Sequence, residues 1–165
     1  SPALGLRHHI ESINQAITIL GRQRLNRWLA VLLFSVREPD FSDWLLVESA
    51  LTRGRLMEIL GEEQMPSTAH DALFLTGIFS CLDRLLRRPM AEALALLPIP
   101  DEVRAALLES SGPYASLLAV AKASESFDLE LISIAAAEAS LQADKVNRAL
   151  LAATAWASEV TDHWE

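Results

Sequence analysis

The stretch Leu73 to Leu86, LFLTGIFSCLDRLL, constrains the fold more than any other part of this chain. It is apolar at nearly every position over a length that suits a helix, so it has to be buried on several sides. Other helices must surround it. Yet Ser80, Cys81 and Asp83 lie at its centre, where a buried polar group needs either a partner or a function. These three residues form the first candidate site.

The remaining sequence supplies the surrounding helices. Helical spacing of apolar residues dominates and strand alternation is almost absent, so the expected class is all-α. Ser12-Ile13-Asn14-Gln15 is a capping-box pattern that opens a helix with Ile13, Ile17 and Leu20 on one side. Gly21 ends or kinks it, and Gln23 to Val36 forms the next helix. After Pro39, either Asp40 or Ser42 caps a third helix to about Leu60, with Trp44, Val47, Leu51 and Ile59 inward. Gly54 inside that helix costs roughly 1 kcal/mol against Ala, which implies a close helix approach there. Pro66-Ser67-Thr68 leads into a helix from about Ala69 to Arg87, followed by Pro89-to-Leu97 and Asp101-to-Glu109. Beyond the Gly112-Pro113 break, helices are expected near 114–124, 127–140 and 143–161.

At 165 residues the chain suits one domain burying about two-thirds of its unfolded surface. With 51% hydrophobic residues, six Gly and seven Pro, it is a folded domain and not a disordered segment. The longest apolar run, Trp28 to Val36, contains Ser35 and falls short of the ~18 residues that span a bilayer, so no membrane insertion is expected. The opening SPALGLRHHI is not a signal peptide. Leu4-Gly5-Leu6-Arg7 has the look of an element's end with nothing before it, and Ser1 is not an initiator Met. The expectation is a fragment of a longer protein. A single cysteine, Cys81, in an apolar helix suits a reducing cytoplasm and a core role.

Charge is unevenly spread. Residues 1–60 sum to +1 and the remainder to -9, for a net -8. Nucleic-acid affinity comes from neutralised phosphates, so an acidic chain is a poor nucleic-acid binder. Arg22, Arg24 and Arg27 form the one local basic cluster and a possible interaction surface, against the plainer reading of a solvated helix face.

Catalytic motifs are missing. There is no P-loop, Gly-rich dinucleotide turn, paired-cysteine zinc motif or nucleophile elbow, and no cofactor or metal is expected. His163 lies two residues from the end, and His8-His9 precede the first cap in a loop. His70-Asp71 has the composition of the HD metal-dependent phosphohydrolase doublet, but it falls in a helix's first turn. No His between Ile10 and Ala69 supplies an upstream ligand. Asp71 there is explained by the helix dipole.

The order and spacing of several motifs resemble HDOD domains, the HD-related output domains of bacterial signalling proteins. Ala72 to Leu86 resembles the family segment alanine-phenylalanine-leucine-x-glycine-leucine-leucine-His-Asp-x-glycine. Ser80 falls on the His, Cys81 on the Asp and Asp83 on the glycine. Ser1 to Arg7, Ser12-Ile13-x-Gln15-Ala16-Ile17 and Leu20-Gly21 look like the family's upstream signatures. The Arg-rich Gly21-to-Trp28 stretch and Leu96-Leu97-Pro98-Ile99-Pro100 are most similar to the branch that follows an EAL domain, the cyclic-di-GMP phosphodiesterase module. The resemblance runs from Ser1 to about Ser110.

It implies an HD-like helical bundle with additional C-terminal helices, as one domain over 1–165 at the C-terminal side of an EAL–HDOD protein. The metal ligands are replaced, with Ser80 and Cys81 at the doublet and Glu48 or a neighbour near the first-His position. Ser is a poor ligand for a hydrolytic divalent metal, and one Cys among oxygens makes no recognised site. The implied role is a non-catalytic, cytoplasmic signalling module. It would act through a protein partner or the upstream EAL domain, with self-association through the N-terminal half possible. Two alternatives accompany it: a nucleotide-sized ligand pocket at the relic site, and a metal-dependent phosphohydrolase built on Glu48, Asp71 and Asp83.

Overall fold

The computed structural model describes residues 40–95 and 97–162. Every regular element among them is helical, and the fold is all-α. The expected helices at Ile13–Leu20 and Gln23–Val36, the Arg22, Arg24 and Arg27 cluster, His8, His9 and His163 lie outside the described residues.

Helix α1 spans Phe41–Gly61. Its start is fixed by a reciprocal cap, as Asp43 N donates to Asp40 Oδ1 at 3.0 Å and Asp40 N donates to Asp43 Oδ2 at 2.9 Å. Two orphan backbone donors are thereby satisfied, so Asp40 and not Ser42 is the cap. Val47 and Leu51 are buried as expected, while Trp44 and Ile59 are half-buried.

Helix α2, His70–Phe79, is preceded by a 3-10 turn at Ser67–Ala69 and crosses α1 at two glycines. A Cβ built on Gly77 would lie 2.5 Å from Gly54 Cα, and one on Gly54 would lie 3.0 Å from the Phe74 carbonyl oxygen. The two backbones touch where any side chain would hold them apart. The close approach foreseen at Gly54 is present, with Gly77 as its partner.

One expectation is corrected. The helix foreseen from Ala69 to Arg87 is two helices, α2 and a short α3 at Leu82–Leu86, broken at Ser80-Cys81. Ser80 Oγ donates to the Gly77 carbonyl at 2.6 Å, and Cys81 N reaches back to Ile78 O at 3.3 Å, one residue short of α-helical pairing. A hydroxyl competing for the preceding turn's carbonyl is a known way to bend a helix. Arg87, with φ 54, then ends α3.

Beyond it come α4 (Met90–Leu94), shorter than the foreseen Pro89-to-Leu97, then α5 (Asp101–Glu109) and α6 (Ala115–Ser124). The chain closes with α7 (Leu129–Glu138) and α8 (Ala143–Asp162). Helix α8 buries Val146, Ala149, Ala153 and Ala157, a ridge three and four residues apart. Small side chains there let it lie along α1, and Trp156 meets Phe74 of α2 edge-on at 6.0 Å. Among the described residues, no helix is long and apolar enough to cross a membrane.

Candidate functional site

The break between α2 and α3 places Ser80 and Cys81 inside the bundle, at 6% and 0% exposure. Both are small core residues. Neither is alone.

Arg53 projects from α1 into the same place and is itself only 6% exposed. Its Nη1 donates to Ser80 Oγ at 3.0 Å, while Nε and Nη2 donate to Glu125 Oε1 and Oε2, each at 2.7 Å. The pairing is a two-bond fork, the geometry in which a guanidinium binds a carboxylate most strongly. Glu125 comes from the turn after α6, so the knot ties α1, the α2–α3 break and the α6–α7 turn together. Burial alone would lower the Arg53 pKa, but the bonds to Glu125 and the acidic groups around it outweigh burial and hold it above its ordinary value. The guanidinium is a permanent buried cation.

Burial pushes the Cys81 thiol up, with Arg53 and Arg84 pulling it part of the way back. Arg84 Nη2 lies 3.5 Å from Cys81 Sγ. The thiol is therefore protonated and inaccessible, the opposite of a reactive cysteine. Asp83 Oδ1 is buried without a hydrogen-bond partner on the far side of the kink.

These residues do not fit the metal of an HD-type site. The doublet offers a hydroxyl and a protonated thiol, and the hydroxyl already accepts from Arg53 and donates to Gly77. An arginine has donors only and can ligate nothing. The cation beside Ser80 belongs to the protein itself. The alternative built on Glu48, Asp71 and Asp83 is also corrected: among the described residues, no three His, Cys, Asp or Glu side chains come together to hold a metal ion. They stand on three separate helical segments, α1, α2 and α3, at positions fixed by helix packing. His70 opens α2, with its Nε2 buried and lacking a hydrogen-bond partner, and Asp71 beside it is exposed at the positive end of that helix.

Sequence reading missed Arg53 and Glu125. Arg53 carried a signal, because it lies between inward Leu51 and Gly54 on α1, where an arginine needs a buried partner. Glu125 carried none; it lies 72 residues away and arrives through tertiary packing.

Away from the knot is a surface cleft of about 550 Å³, where the Ser110–Gly112 loop, α6 and Glu138 meet, with Lys122 on its wall.

No family model matches the chain, and no solved structure does. Two relatives share its sequence. The chain is 36% identical over 124 residues to the uncharacterized protein YuxH of Bacillus subtilis, covering 73% of this chain and 30% of that protein. It is 25% identical over 154 residues to the cyclic di-GMP phosphodiesterase CdgJ of Vibrio cholerae, covering 92% of this chain and 35% of that one. The chain thus spans about a third of the length of the relatives it matches.

Proposed function

We propose that this chain is a non-catalytic, HDOD-like output module of a cyclic-di-GMP-linked, cytoplasmic signalling protein, and that it acts through contact with another protein or domain. The observation that carries the reading is the Arg53 guanidinium, forked on Glu125 and bonded to Ser80 where the resemblance puts a metal-binding doublet. A hydrolytic site needs an ion and an activated water there; this one holds a forked Arg–Glu ion pair. The similarity to CdgJ supports the link to cyclic di-GMP, and YuxH extends the likeness to a second bacterium.

The test is direct. The purified chain is incubated with cyclic di-GMP, its linear dinucleotide and p-nitrophenyl phosphate, in Mn²⁺ or Mg²⁺, with metal content measured in parallel. No turnover and no stoichiometric metal are expected. Turnover abolished by Cys81→Ala, together with one tightly held metal per chain, would overturn the reading.

A further inference from the structure

The turn between α6 and α7 is built to hold an aromatic ring in water. Phe127 stands at φ 56, a conformation that glycine or asparagine adopts readily and a phenylalanine does not, and it is 86% exposed. Its neighbours leave it little freedom. Glu125 is fixed by Arg53, Ser126 Oγ donates to the Ala123 carbonyl at 2.6 Å, and Asp128 caps α7 by accepting from the Glu130 and Leu131 amides. Strain held in place by its surroundings marks positions where the side chain matters more than the backbone's comfort.

The apolar surface continues beyond Phe127. Leu131 and Ile134, three residues apart on α7, are both exposed, and Glu138, one turn beyond Ile134, opens onto the 550 Å³ cleft. The charge on the helix itself has one sign. Helix α7 and its cap carry Asp128, Glu130 and Glu138 and no Lys or Arg, with Lys122 on the wall of the neighbouring cleft. A second copy of this chain suits the face poorly, because a symmetric contact would bring Glu130 and Glu138 towards the partner's own acids.

We infer that the outer face of α7, anchored by Phe127 and completed by Leu131, Ile134, Glu130 and Glu138, is a docking surface for an amphipathic helix with lysine or arginine along its flanks. A rigid exposed aromatic is the usual anchor of such a contact, and acids at the rim select the basic partner. None of these five residues belongs to the Arg53–Ser80–Glu125 knot, and the inference does not require that the knot replace a metal site.

The probe is a synthetic amphipathic Leu/Lys helix. Its controls are a scrambled peptide of equal composition and a Leu/Glu counterpart. The full chain is expected to bind the Leu/Lys helix and neither control. Phe127→Asn should weaken that binding about ten-fold while leaving the unfolding temperature equal or higher, because it relieves the strained turn. Glu130→Lys with Glu138→Lys should shift the preference to the Leu/Glu helix. Equal binding of the Leu/Lys helix by wild type and Phe127→Asn, equal binding of the scrambled peptide, or self-association lost with Phe127→Asn would each overturn the inference.

Discussion

Arg53 on α1 and Glu125 after α6 are joined by two parallel 2.7 Å hydrogen bonds across 72 residues of sequence. The guanidinium is inside and the carboxylate, at 36% exposure, is its link to water. Removing the carboxylate strands a buried charge, whereas removing both partners strands nothing. Glu125→Ala should therefore lose about 2 kcal/mol, less than the 3–5 kcal/mol of a fully buried pair because Glu125 is partly solvated. Arg53→Met combined with Glu125→Leu should lose less than Glu125→Ala alone. Urea unfolding of wild type and the two variants checks this; a double variant that loses as much as Glu125→Ala, or more, would refute it.

The Gly54–Gly77 crossing leads to a prediction opposed to helix propensity. Alanine is better than glycine in a helix by about 1 kcal/mol. At Gly77, however, the added methyl would meet the backbone of Arg53 and Gly54 at 2.5 Å, and backbone cannot swing aside. Gly77→Ala should destabilise by about 3 kcal/mol, at the upper end of overpacking costs. Gly54→Ala, whose nearest neighbour is the Phe74 carbonyl at 3.0 Å, should lose less. A Gly77→Ala protein as stable as wild type in denaturant would show that the helices separate freely.

How much of this was legible in the sequence follows from the range of the forces involved. The Asp40 cap, the Gly112-Pro113 break and the helices after it are local effects of caps, breakers and apolar spacing, and the chain spells them out. Gly54 announced a close contact without naming Gly77. The break at Ser80 was hidden, because no proline or glycine stands at Ser80-Cys81, and a hydroxyl bonded to Gly77 and Arg53 bends the helix. Ser80 and Cys81 stood out as polar residues in an apolar run. Their partners came from elements far along the chain, and no local pattern records such a meeting.

Cys81 makes stability depend on alkaline pH. Burial raises its pKa in the folded chain above the ordinary value of about 9. Below that value both states hold the proton and the thiol's contribution is fully present. As pH rises, the unfolded chain releases its proton first, so the contribution falls and is lost as pH climbs through the folded value. Cys81→Ala should cost about 1 kcal/mol at neutral pH, and its urea midpoint should decline less between pH 8 and about 10 than that of wild type. Thiol labelling of native protein should be slow and governed by unfolding. Rapid labelling without denaturant would count against the buried position.

Placing a His-Asp doublet at positions 80 and 81 should not by itself create a metal site, because Arg53 already occupies the space beside them. Ser80→His with Cys81→Asp adds a nitrogen and a carboxylate, but the guanidinium remains within hydrogen-bond reach of position 80 and still holds Glu125. A divalent ion would have to displace a paired cation from a closed interior, and the new carboxylate would sooner bond Arg53 than wait for metal. Adding Arg53→Ala changes the balance. It opens the space, frees the Glu125 carboxylate and leaves a nitrogen and two carboxylates facing a cavity, a donor set suited to Mn²⁺. Ligand that binds only the folded state stabilises it by about 2.7 kcal/mol at a hundred times its dissociation constant. The triple variant should therefore melt several degrees higher on addition of Mn²⁺, while wild type and the double variant should not move. A rise of equal size in the double variant would show that Arg53 is no barrier to an ion. No rise in a folded triple variant would show that the three donors do not converge on one point in the pocket.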